Sequence, residues 1–107
     1  MDLEMVFSDT KWRIIEEVSK SEKSLDSLAK TLKTSSANIS QQLRILELLG
    51  IIKKEKTGTV FKGKPRVMFS LKEDIAYIIL ASKDKTAKKL VRLTKGELAS
   101  LKRIMGE

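Results

Sequence analysis

Residues 25–50 constrain this chain more than any other stretch of it. Leu25, Leu28, Ala29 and Leu32 recur at i, i+3, i+4 and i+7, which lines one face of a short helix with apolar side chains. Ser24 stands where the cap of that helix belongs. Thr34, Ser35 and Ser36 form a tight polar turn, and a second stripe of Ile39, Leu43 and Leu46 follows at once. Gly50 supplies a left-handed stop at its end. Two short amphipathic helices joined by a turn are a helix-turn-helix.

The flanks extend that unit. Upstream, Trp12, Ile15 and Val18, joined by Ile14, predict a first helix from near Asp9 to about Ser19, capped by Ser8 or Asp9. Downstream, residues 51–56 and 66–71 are strand-like and are joined by a loop with Gly58 and Gly63 near its ends. Pro65 sits where its missing N–H does least harm. The tail predicts a strand over residues 75–81, a turn, and a second strand over 87–93. Thr94 and Glu97 have the spacing of a capping box, with Leu98, Leu101, Ile104 and Met105 following on one helical face. The expected fold is α+β and mainly helical: a winged helix-turn-helix over residues 1–72, then a C-terminal extension over 73–107 that packs on the same domain. At 107 residues the chain has the length of one domain with one modest core.

Composition removes whole classes of function. The chain has no Cys and no His, so the usual thiol nucleophile, general base and zinc ligands are missing. The expectation is a protein that is not an enzyme and takes no cofactor or metal. The start carries Asp2 and Glu4 rather than a basic leader, and the longest apolar run, residues 75–81, is too short to span a bilayer. A soluble, cytoplasmic protein with no membrane partner is expected.

The formal charge of +8 gains meaning from its placement. Residues 35–72 hold eight bases and two acids, a net +6. A mid-chain basic block is the electrostatic footprint of polyanion binding.

The order helix, helix, turn, helix, basic hairpin is that of a winged helix-turn-helix. Ser40-Gln41-Gln42-Leu43-Arg44-Ile45-Leu46 with Gly50-Ile51-Ile52 resembles the ArsR-type family of prokaryotic regulators, in an archaeal-looking version. Leu28-Ala29 with Leu32 is similar to that family's second helix, and Phe7-Ser8-Asp9 with Trp12-Arg13 to its first. The resemblance implies a dimer on a roughly palindromic operator, usually a repressor. It does not bring the family's metal-sensing role, whose Cys or His ligands are missing here.

The residues themselves point the same way. With Ile39 facing inward and about 100° per residue, Leu43 and Leu46 also point inward while Ala37, Gln41 and Arg44 point outward. Asn38 and Gln42 share one shoulder. The three side-chain amides of the chain, Asn38, Gln41 and Gln42, fall within five consecutive positions. Such amides pair bidentately with adenine in the major groove. Ser35 and Ser36 are placed to cap the helix and to meet a phosphate, and Arg44 to reach the backbone. Lys53, Lys54, Lys56, Lys62, Lys64 and Arg66 line the expected wing, with Val60 and Phe61 near its tip. The expected partner is double-stranded DNA. Trp12, Ile78, Leu98, Leu101, Ile104 and Met105 are the expected homodimer surface. A small-molecule effector has no support in the sequence. The competing reading is a winged-helix module that binds protein.

Overall fold

A computed structural model describes residues 9–61 and 63–107 of the chain, whose contacts divide it into two units, Met1–Lys72 and Glu73–Glu107. Among the described residues the first unit opens with α1 (Asp9–Lys20). Its buried stripe is Lys11, Ile14, Ile15 and Val18, at i, i+3, i+4 and i+7. Trp12 lies one step off that stripe and is 39% exposed, so the long stem of Lys11 fills the place that the apolar pattern gave to Trp12. Ser8, one of the two expected caps, lies outside the described residues.

α2 (Leu25–Leu32) begins as its sequence predicts, with the Ser24 hydroxyl accepting from the Ser27 N–H. It ends on Lys33 in the left-handed conformation, φ +54°. The N–H groups of Lys33 and Thr34 donate to the carbonyls of Lys30 and Ala29, closing the helix. A side chain in that conformation costs roughly 1–2 kcal/mol where glycine is at ease. Lys33→Gly should therefore raise stability by about 1 kcal/mol, read as a higher urea midpoint at unchanged slope. No shift, or a lower midpoint, would contradict the strain.

α3 (Ser36–Leu48) starts on Ser35, whose Oγ accepts from the Asn38 N–H at 3.1 Å. At its other end Gly50 has φ +74°. The Gly50 N–H donates to Glu47 O and the Ile51 N–H to Leu46 O, the paired bonds of a glycine-terminated helix. Leu46 and Ile51, both buried, complete that end. Ile14, Leu28, Ile39, Leu46, Ile51 and Ile52 are the largest fully buried side chains, so all three helices and the first strand share one core.

β1 (Ile52–Phe61) and β2 (Lys64–Leu71) pair antiparallel. The strands are longer than the sequence predicts. Lys56 pairs with Val67 and Val60 with Pro65, so residues 57–59 face Arg66 alone in a bulge. The bulge absorbs Gly58, and the Thr57 hydroxyl donates across it to Arg66 O at 3.2 Å. The loop expected over that stretch shrinks to a turn in which Gly63 has φ +78°. On the other edge of β2, Lys23 and Phe69 exchange two backbone bonds of 2.9 and 2.7 Å. That single bridge ties the segment before α2 to the hairpin.

The second unit holds β3 (Ile75–Ala81), β4 (Thr86–Arg92) and α4 (Lys95–Ile104). β3 and β4 pair in register from Ile75 opposite Arg92 to Ala81 opposite Thr86. The capping box forms: Thr94 Oγ1 accepts from the Glu97 N–H, and the Glu97 carboxylate accepts from the Thr94 N–H. Those bonds hold the Glu97 carboxyl below its ordinary range, that from the Thr94 backbone contributing most. None of residues 73–107 is buried.

Candidate nucleic-acid interface

Capping fixes where α3 begins, and burial of Ile39, Leu43 and Leu46 fixes its rotation. Ser36, Ala37, Ser40, Gln41 and Arg44 are then exposed along its outer face. Ser40 is an addition to the expected contact residues. Its position, three after Ala37 and four before Arg44, is the sequence signal that places it there.

Asn38 and Gln42 are placed differently. Both are half-buried. The Asn38 amide donates to Thr34 Oγ1 at 3.0 Å, and the Gln42 amide donates to Asn38 Oδ1 at 3.2 Å. Thr34, Asn38 and Gln42 thus form a ladder at four-residue spacing along the flank of the helix. Gln42 Oε1 is buried with no protein partner. Of the three amides, Gln41 alone is exposed.

The first turn of α3 carries no acid, so the partial positive charge of its N-terminus is uncompensated by the helix itself. Beside it lies an open hollow of about 670 Å³ whose lining includes Lys30, Lys33, Ser35 and Ser36, with Asp26 as its acid. Lys30 and Lys33 are further basic groups at this end. They precede the turn, outside the basic block of residues 35–72, so charge counted along the chain does not single them out.

The hairpin splits its bases between two faces. Opposite residues of an antiparallel ladder share a face. Lys54 and Lys56 stand opposite Phe69 and Val67, whereas Lys53 and Glu55 stand opposite Ser70 and Met68. Lys53 Nζ is 3.1 Å from the Glu55 carboxylate, so part of its charge is offset within the wing. Lys54 turns toward α3: with Arg44, Ser40 and Glu47 it lines a groove of about 230 Å³. Arg66 is exposed at the bulge. Lys64 pairs with Phe61 at the head of β2, and Lys62 lies outside the described residues. Val60 and Phe61 belong to the last pairs of the ladder.

The expected dimer residues divide by exposure. Ile104 and Met105 are 80% and 71% exposed, Trp12 and Ile78 are both 39% exposed, and Leu98 and Leu101 are half-buried. Among the described residues no group of three Asp, Glu, His or Cys side chains is placed to hold a metal ion. No helix among them is long and apolar enough to cross a membrane.

Three helices ending in an exposed α3, followed by a basic hairpin held by the Lys23–Phe69 bridge, define a winged helix-turn-helix protein. Residues 8–54 match the family model described as bacterial regulatory protein, arsR family. The structure of reduced HlyU from Vibrio cholerae N16961 is similar at a TM-score of 0.55 and 18% identity, covering 98% of this chain and 85% of that one. That likeness is one of fold. A chain described as a structure of prokaryotic transcription factors gives a TM-score of 0.48 at 22% identity over 92% of this chain and 80% of that one, too loose a fit to carry argument. No curated relative matches the chain.

Proposed function

We propose that this protein is a dimeric, sequence-specific regulator that binds double-stranded DNA and represses transcription. The observation that carries the reading is the exposed row of Ser36, Ser40, Gln41 and Arg44 on α3, with Lys54 of the wing in the groove beside it. Gln41 suits a base edge, Arg44 and Lys54 suit phosphates, and the acid-free start of α3 favours an anion. Asn38 and Gln42 support α3 from within, and the reading role centres on Gln41. Repression is the role implied by the resemblance of residues 40–52 to ArsR-type regulators, and occupation of a promoter by the bound dimer would produce it.

The dimer is supported by the second unit. A two-stranded hairpin and a ten-residue helix without one buried side chain do not carry a core of their own. A second copy supplies the missing contact surface.

Site selection on random duplex DNA at two salt concentrations tests the reading. The expected result is a two-fold symmetric motif, with log affinity falling by about 0.9 per log salt for each phosphate neutralised. Absence of duplex binding at low salt would reject the reading and favour a protein-binding module, which the exposed Leu48 on α3 would then serve.

A further inference from the structure

β3 pairs with β4 along one side. Its other side is a seven-residue row of backbone groups that pairs with no strand among the described residues. Natural proteins guard such edges with charge, proline or a bulge. β1 has Lys53, Lys54, Glu55 and Lys56, and β4 has Lys88, Lys89 and Arg92. β3 reads Ile-Ala-Tyr-Ile-Ile-Leu-Ala, with no charge, no proline and no bulge in its pairing. Ile78, Ile79 and Leu80 are 39%, 67% and 44% exposed. It is the unguarded edge of its hairpin.

We propose that β3 pairs antiparallel with β3 of a second copy about a two-fold axis at Ile78, making a continuous four-stranded sheet β4–β3–β3–β4. This rests on the dimer reading above and specifies its geometry. Opposite residues of an antiparallel pair share a face, so the axis must pass through a residue rather than between two. An axis at Ile78 engages all seven residues. It sets Tyr77 opposite Ile79 of the second copy, Ala76 opposite Leu80, and Ile75 opposite Ala81. Charge decides between the two edges of the hairpin. Pairing through β4 about its central residue would put Lys89 directly against Lys89 of the second copy, a destabilising like-charge pair. Pairing through β3 moves the two β4 strands to the outside of the sheet, about 14 Å apart.

The chain has no cysteine, so single cysteines report the geometry without background. Under the proposed pairing, the two copies of position 78 have Cα atoms about 4.5–5.5 Å apart. A disulfide requires about 4.4–6.8 Å. Position 89, opposite Ile78 on β4, is out of reach of its copy. Mild oxidation of the full chain should convert Ile78→Cys to a covalent dimer and leave Lys89→Cys monomeric on a non-reducing gel. Should Ile78→Cys fold poorly, a mixture of Tyr77→Cys and Ile79→Cys chains should give the mixed disulfide instead. Light scattering of the unmodified chain gives its mass independently, and Ile78→Lys should halve that mass while far-UV circular dichroism stays largely unchanged. A dimeric mass without the cross-link at 78 or between 77 and 79, or a cross-link at 89, would overturn the edge pairing and leave the dimer standing. A monomeric mass for the unmodified chain at tens of micromolar would overturn both. DNA binding, measured separately, reports on the regulator reading alone.

Discussion

Leu46→Ala should destabilise this protein by about 2–5 kcal/mol, enough to populate the unfolded state visibly at 37 °C if total stability lies at the low end of the usual range, near about 5 kcal/mol. Leu46 has no exposed surface and belongs to the shared core of the helix-turn-helix. It is also the residue whose carbonyl closes the end of α3 through the Ile51 N–H, with both side chains buried at that closure. Truncation removes core volume and the apolar contact that completes the glycine stop. Leu48, two residues on and 72% exposed, is the matched control: Leu48→Ala should change stability by no more than about 0.5 kcal/mol. Urea unfolding followed by circular dichroism measures both. Equal losses would mean that α3 is rotated from the orientation described. DNA affinity of Leu46→Ala should fall with the folded fraction, not through altered sequence preference.

That rotation is legible in the amino-acid sequence alone, because Ile39, Leu43 and Leu46 admit only one inward direction. Helix starts are legible for a related reason: Ser24, Ser35 and Thr94 each have a hydroxyl that meets an N–H three residues on. Such local chemistry survives in any tertiary context. The second hairpin is legible from the β-branched run of β3 and the turn that follows it.

Features that depend on partners far along the chain are not legible in this way. Gly58 looks like a loop residue, yet β1 runs on through it because a bulge accommodates it. The Lys23–Phe69 bridge joins residues 46 positions apart and leaves no pattern in either segment. Residue type alone puts Trp12 on the apolar stripe of α1. The i, i+3, i+4, i+7 register that includes Lys11 is the better fit, and it is hidden because a lysine does not count as core-facing until its stem is considered apart from its charge. The split of wing lysines between two faces follows from register with β2, which the sequence does not fix. Thr34, Asn38 and Gln42, by contrast, stand four apart in the sequence, and that spacing is a visible sign of side-chain pairing along a helix.

The ladder turns the three amides into a test with opposite outcomes at adjacent positions. Gln41 is exposed, so Gln41→Ala should leave stability within about 0.5 kcal/mol of the parent. It should instead cost about 1–3 kcal/mol of discrimination at one base pair per half-site, roughly five- to 150-fold. Gln42 should behave in reverse. Its Oε1 is buried without a partner, and exchanging oxygen and nitrogen in both amides would keep the two bonds while leaving a Gln42 nitrogen buried alone. Removing a buried unsatisfied polar atom relieves about 1–3 kcal/mol, against the loss of the bond to Asn38 and the unpairing of its half-buried Oδ1, which costs about as much. Gln42→Met, close in volume, should therefore leave stability within about 1 kcal/mol of the parent, with its base preference unchanged. Thermal unfolding and a randomised-site binding profile, run on both variants with Lys54→Ala as a wing control, separate the roles. Lys54→Ala should weaken all sequences alike, since a phosphate contact carries no base information. If Gln42→Met relaxed base preference while Gln41→Ala did not, the reading surface would lie on the ladder flank of α3 and not on its exposed face.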